Sequence, residues 1–233
     1  MLGIAATGFV AKWITFRNTA GPSGHQAVAL RSNGETSVFD SCCFEGYQDT
    51  LYSSAGKHFY TNCTIAGTVD FIFGNALAIF QNSSLVARQP DEGQQNTYTA
   101  QGRKEYVLKT GFSFQGCSLV QGEDLKDSPF EVSTYYGRPW KPYSTTVFMQ
   151  SYVDSHLDPL GWLSWNLSRP FETTCYYAEY NNSGPGSDIT GRADWSCVHP
   201  IISVDDADQF TFTGFFGSDT SFLPSDVPFV PGL

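Results

Sequence analysis

Two aspartates, Asp49 and Asp70, interrupt runs otherwise suited to β-strands: Gly46-Tyr47-Gln48-Asp49-Thr50-Leu51-Tyr52 and Gly67-Thr68-Val69-Asp70-Phe71-Ile72-Phe73-Gly74-Asn75-Ala76. Charge in such a run costs free energy unless a partner or a task compensates it. Two carboxylates on neighbouring strands, about 4.8 Å apart, would couple, so that one holds its proton while the other stays ionised. One is then an acid and the other a nucleophile. The plainer alternative, turn carboxylates capping backbone amides, is the usual role of an isolated Asp; a shared register favours chemistry. Gln26 and Gln48 bring amide NH₂ groups to the same region, either as ladder-forming side chains or as donors to a developing oxyanion. In Tyr136-Gly137-Arg138-Pro139-Trp140, the Arg138 guanidinium either grips a carboxylate bidentately or packs on Trp140 at the surface. Tyr52, Phe73, Trp140 and Trp162 are candidates for the floor of a sugar-binding groove.

What could hold these residues together is a repeat. An aromatic or Met anchor followed by small or polar residues recurs as Phe16-Arg17-Asn18-Thr19, Phe39-Asp40-Ser41-Cys42, Tyr60-Thr61-Asn62-Cys63, Phe80-Gln81-Asn82-Ser83, Phe114-Gln115-Gly116-Cys117 and Met149-Gln150-Ser151-Tyr152. Apolar Phe44, Ile65, Leu85 and Leu119 follow at a fixed offset. Units of this size cannot bury their own apolar faces, so they complete a core by stacking parallel strands coil upon coil. The Asn of the tetrad then sits at corners. Ten residues beyond the first three anchors are Gln26, Asp49 and Asp70, which a regular stack would set in one column.

Composition fits this picture. Of 233 residues, 41% are apolar and only 15% charged, with 22 Gly, 12 Pro and 19 Phe, which suits short strands and turns over helices. One all-β domain over residues 1–233 is expected, with a closing segment at about 205–233 packed on the last coil. A net charge of −10 speaks against a phosphate-backbone binder, so no nucleic-acid partner is expected. No stretch has the length of a membrane span, and the apolar opening from Met1 meets Lys12 without a signal-peptide cleavage pattern. The six cysteines form no CxxC pair and no zinc spacing, so no metal or other cofactor is expected. Cys42 and Cys63 should stack in adjacent coils, as a disulfide or as neighbouring thiols filling the core. The four histidines fit neither a Ser/His/Asp nor a metal pattern and receive no catalytic role. Sequons at Asn62, Asn82, Asn166 and Asn181 are weak signals.

Taken together, Asn18-Thr19-Ala20-Gly21-Pro22, Gln26-Ala27-Val28-Ala29-Leu30-Arg31, the runs around Asp49 and Asp70, Gly137-Arg138-Pro139-Trp140 and Gly161-Trp162 resemble plant-type pectin methylesterases over nearly the whole chain. The resemblance implies a right-handed, single-stranded parallel β-helix and hydrolysis of methyl esters on galacturonate units of pectin. It implies Asp70 as nucleophile, Asp49 as general acid and base, Gln26 and Gln48 as oxyanion donors, and Arg138 orienting Asp70. Tyr52, Phe73, Trp140 and Trp162 would contact the sugar chain. It also implies a secreted, cell-wall enzyme, monomeric, acting on pectin and open to a proteinaceous pectinesterase inhibitor. The family's catalytic domain carries further coils before the position of Met1, so an N-terminally truncated solenoid is expected. Thr15 and Ser83 stand where many relatives have cysteines, so the family's disulfides do not carry over. Two alternatives stay open: a relative without turnover that serves as a pectin-binding module, and a β-helix glycoside hydrolase, which would also use paired carboxylates.

Overall fold

The computed structural model describes residues 1–166, 168 and 170–233. Its strands stack in three parallel sheets that together make a parallel β-helix. The first sheet joins Leu2–Ile4, Leu30–Ser32, Leu51–Ser53, Ile72–Gly74, Asn96–Gln101 and Thr134–Gly137. The second runs from Phe9–Lys12 through Thr36–Asp40, Lys57–Thr61, Leu77–Gln81, Gly111–Gln115, Thr145–Met149 and Tyr176–Tyr180 to Val198–His199. The third holds Thr15–Arg17, Cys43–Glu45, Thr64–Gly67, Ser84–Ala87, Ser118–Gln121 and Tyr152–Val153. Six coils contribute one strand to each sheet, so the chain advances by one strand spacing per turn, and Tyr176–Tyr180 and Val198–His199 extend the second sheet alone. Among the described residues, no helix is long and apolar enough to cross a membrane.

The anchors form the interior. Phe39, Tyr60, Phe80, Phe114 and Phe148 pair in register along the second sheet. Their rings stack with centroids 4.8, 4.5, 4.5 and 4.5 Å apart. Parallel strands impose this spacing, and it is close to the best separation for offset aromatic rings. Phe16 and Met149 do not belong to the column. Phe16 pairs with Phe44 in the third sheet, and the true counterpart of Phe39 is Ala11. Met149 pairs with Gln115, one residue past the column. Ser41, Asn62, Asn82, Gly116, Gln150 and Asn181 take the corners with positive φ, between 49° and 63°, whereas Asn18 does not, and Trp13 holds the corner of that coil. Asn tolerates that conformation better than most residues, because its short side chain bonds locally.

The closing segment reaches further than the last coil. The short helix Val204–Asp208, capped by the Ser203 hydroxyl, packs Ala207 on Val147 and Ala178. A second short helix, Phe212–Phe216, capped by Thr211, lies with Val227 over Val38, Phe59 and Ile79 of earlier coils. Beyond it the tail pairs Asp226 with Lys12 at 2.5 Å. It then ties into a glutamine ladder: Gln81 donates to the Val230 carbonyl and accepts from its amide, and Gln115 donates to the Gly232 carbonyl. Cys42, Cys63 and Cys117 are buried free thiols, so packing, not a Cys42–Cys63 bridge, explains that pair. The disulfide is Cys175–Cys197, between the last coils.

Since the ring column is continuous, truncating its middle member removes contacts on two sides. Phe80→Ala should cost about 3–5 kcal/mol, read as a lower midpoint in urea unfolding with the slope preserved.

Candidate active site

The two aspartates occupy equivalent places on adjacent coils. Leu51 pairs with Ile72 and Tyr52 with Phe73, and each aspartate lies two residues ahead of its strand. The Asp49 amide donates to the Val69 carbonyl at 3.0 Å, which sets Asp49 opposite Asp70. Both take left-handed backbone, φ 64° and 52°. Asp accepts that conformation at modest cost, and there it turns the chain into the strand.

Their electrostatic surroundings differ sharply. Asp70 is buried and fully engaged: Arg138 Nε donates to Oδ1 and Nη2 to Oδ2, both at 2.8 Å. The Thr97 hydroxyl also donates to Oδ1 at 2.7 Å and accepts the Asp70 amide at 2.7 Å. The forked guanidinium holds both carboxylate oxygens and fixes the plane of the group. Asp49 is half-buried, and no hydrogen bond to its carboxyl occurs among the described residues. Burial pushes its pKa up to about 7, the Asp70 charge adds to the rise, and Arg138 opposes it. Up to neutral pH Asp49 thus retains a large share of its proton beside the arginine-clamped Asp70.

Arg138 is aimed by what lies beneath it. A Cβ on Gly137 would collide with Oγ1 and the carbonyl of Thr99, so only glycine lets this strand close on its neighbour. One residue earlier, the Tyr136 hydroxyl donates to Glu179 Oε2 at 2.8 Å, while Arg192 forks onto the same carboxylate at 2.6 and 3.1 Å. On its open side the Arg138 guanidinium lies 4.6 Å from the Trp165 ring.

Gln48 is half-buried beside Asp49, whereas Gln26 is exposed. Gln26 does not complete the carboxylate column. It stands four residues ahead of Leu30, the partner of Leu51, where each aspartate stands two ahead of its strand. The two-residue offset comes from Phe16, which belongs to the third sheet and not to the anchor column. The Ala27 amide donates to the Gln48 carbonyl at 3.1 Å, so the Gln26 turn stacks one coil before the turn that carries Gln48 and Asp49. Neither side-chain amide is hydrogen-bonded among the described residues.

Three of the four candidate ring residues cluster. Tyr52 and Phe73 stack at 4.3 Å, and Trp140 meets them edge-on at 6.5 and 6.1 Å. Phe73 is only 8% exposed, so Tyr52 and Trp140 present most of the surface. Gly102 gives Trp140 its seat, since a Cβ there would lie 2.7 Å from the indole. Trp162 is a correction: it is 1% exposed, stacked on Tyr177 at 4.0 Å and tilted against Tyr136 at 5.2 Å, inside the core. It pairs with Gly137 and supports the arginine strand from below.

A family model described as Pectinesterase matches residues 1–219. The chain belongs to the pectinesterase family. It is 51% identical over 230 residues to the Arabidopsis thaliana protein named "Probable pectinesterase/pectinesterase inhibitor 7", covering 99% of this chain and 39% of that one. It is 45% identical over 232 residues to "Pectinesterase 2" of Citrus sinensis, covering 100% and 45%. The chain therefore spans less than half the length of these relatives. Among solved structures, pectin methylesterase from carrot superposes with a TM-score of 0.93 at 42% identity, over 100% of this chain and 72% of that one. The pectin methylesterase from Aspergillus niger gives 0.80 at 30% identity, over 96% and 68%.

Two residues of the candidate site escaped the sequence reading. Thr97 reaches Asp70 from 27 residues away, and only its alternation within Asn96–Gln101 marks it. Trp165, three residues past Trp162, takes the role of a ring against Arg138.

The raised acid has a thermodynamic signature. In the unfolded chain Asp49 should release its proton near pH 4, but in the folded protein only near pH 7. Between those values the folded state binds more protons, so Asp49 makes stability fall as pH rises from about 4 to about 7 and level off above. Asp49→Asn should remove that slope: its stability advantage over the parent in urea unfolding should grow across this window. An advantage independent of pH would show that Asp49 is not held protonated.

Proposed function

We propose that this chain is a carboxylic ester hydrolase that removes methyl esters from galacturonate units of pectin. The observation that carries the reading is the paired carboxyls: Asp70 clamped by Arg138, and Asp49 opposite it with its pKa pushed up to about 7. In the first step Asp70 attacks the ester carbonyl carbon. Oδ2 is the suited atom, because it accepts only from Arg138 Nη2 whereas Oδ1 already accepts two bonds. The carbonyl π pair moves onto oxygen, and the free amide groups of Gln48 and Gln26 stabilise that oxyanion. As it collapses, the bond to methoxide breaks and Asp49 protonates the leaving oxygen, releasing methanol. An anhydride joins Asp70 to the galacturonate carbonyl.

Asp49, now ionised, takes a proton from water, and the hydroxide adds to the galacturonate carbonyl. Collapse breaks the bond to Asp70, restoring its carboxylate and the protonated Asp49. The freed galacturonic acid then ionises in solvent. Each turnover consumes one water and yields methanol, a carboxylate and a proton. Tyr52, Phe73 and Trp140 form the platform for the sugar chain.

The same reading extends to place and partner. Wall pectin outside the cell is the substrate pool. The pectinesterase/pectinesterase inhibitor names of the Arabidopsis relatives point to a proteinaceous inhibitor as a second partner.

Incubating the protein with methyl-esterified pectin should release methanol without new reducing ends. Asp70→Asn should lower methanol release by about 10³-fold or more, and Arg138→Gln by about 10²-fold, as expected for the nucleophile and the group that orients it. Reducing ends without methanol would instead identify a glycoside hydrolase.

A further inference from the structure

Among the described residues no hydrogen bond holds the side chain of Gln48 or Asp49, so the aim of both rests on the backbone turn that carries them. One flank of that turn is fixed by the next coil, through the Asp49 amide on the Val69 carbonyl and the Thr68 amide on the Tyr47 carbonyl, both at 3.0 Å. Arg88 fixes the other flank. Its Nη1 donates to the Gly46 carbonyl at 3.1 Å and its Nη2 to the Tyr47 hydroxyl at 2.8 Å, with the guanidinium carbon 4.0 Å from the centre of the Tyr47 ring. That phenol has no other hydrogen-bond partner among the described residues. The arginine reaches back two coils to make these contacts: it follows Ala87, which pairs with Gly67, while Ala66 pairs with Glu45. From the coil on its other side, Asp124 of the short helix Glu123–Lys126 accepts from Nε at 3.1 Å. The main chain of Arg88 touches the other half of the site. The Asn96 side chain donates to the Arg88 carbonyl at 2.8 Å, and the next residue, Thr97, bonds both the carboxylate and the amide of Asp70.

Building on the esterase reading, we propose that Arg88 is a positioning residue for the reaction, whose guanidinium holds the turn of residues 46–49 so that the Asp49 carboxyl and the Gln48 amide meet the ester that Asp70 attacks. A guanidinium presents its donors in one rigid plane, so a single side chain can grip the Gly46 carbonyl, the Tyr47 hydroxyl and the Asp124 carboxylate at once. Proton delivery and oxyanion stabilisation both fall steeply with misplacement, and a shift of about 1 Å costs on the order of 10²-fold in rate. The aromatic platform does not share this dependence. Tyr52 and Phe73 lie on strands fixed by their own parallel pairing, so slackening the turn spares sugar binding and falls on the chemical step.

The test measures methanol release from methyl-esterified pectin by the parent and by Arg88→Gln, with circular dichroism showing that each is folded at the assay temperature. Arg88→Gln should lower kcat about tenfold and leave KM within about twofold. Arg88→Lys should stay as low, because an ammonium keeps the charge beside Asp124 but not the planar fork. An unchanged kcat would make Arg88 a stabilising residue only, a loss confined to KM would make it a binding residue, and recovery of the parent kcat by Arg88→Lys would make charge sufficient; each overturns the proposal. If Arg88→Gln does not fold, Asp124→Asn carries the same test: kcat should fall about threefold at constant KM, the size of one partly exposed ion pair, and an unchanged kcat overturns the proposal. If the parent releases no methanol, the esterase reading has failed, and hydrogen exchange at the Asp49 amide decides on Arg88. Faster exchange in Arg88→Gln then supports the hold on the turn, and equal exchange overturns it.

Discussion

Everything in this molecule hangs on the parallel register of one coil upon the next. Parallel strands repeat every side chain at the same height one strand spacing further on, so a residue chosen on one coil constrains its neighbours above and below. In the interior this produces an uninterrupted stack of rings from Phe39 to Phe148. On the outer face the same rule sets Asp49 opposite Asp70, an arrangement that repulsion alone would forbid. The fold tolerates it because Arg138 neutralises one carboxylate from the far side and Asp49 keeps its proton.

The division of labour between the two aspartates comes from their surroundings and not from their own chemistry. Both are Asp, both have positive φ, and both precede a strand by two residues. Asp70 faces the coils that carry Thr97 and Arg138, whereas Asp49 follows Gln48 directly and faces the preceding coil, which carries Gln26. Donors accumulate on one side and are scarce on the other. The buried Tyr136–Glu179–Arg192 group reinforces this asymmetry, because it fixes the strand from which Arg138 projects.

Periodicity made much of this visible in the sequence. The coil from Phe39 to Tyr60 has the same length as the spacing between the aspartates, so their opposition could be counted out directly. The count failed where composition imitated the pattern. Phe16 looks like an anchor, but the residue that occupies the anchor position in that coil is the small Ala11. Met149 displaced Phe148 for a similar reason, since both are large and apolar. Trp162 illustrates a different limit: its burial depends on Tyr177, which a later coil brings underneath it, and no local pattern announces that contact. Thr97 and the Cys175–Cys197 bridge were hidden because they join segments across coils of unequal length.

A solenoid of this kind unfolds in principle from either end, since each coil touches only its neighbours. The tail that crosses the outer face of the second sheet changes that behaviour. Gln81 holds Val230 across 149 residues of chain and Gln115 holds Gly232 across 117, while Asp226 grips Lys12 in the opening coil. Opening of the coil that carries Lys12 is thereby coupled to release of the tail, which turns a zipper into a more cooperative unit. The same geometry orders events during synthesis. The coils that hold Lys12, Gln81 and Gln115 leave the ribosome well before residues 226–232 do, so these fastenings close late and until then the coils are held only by one another.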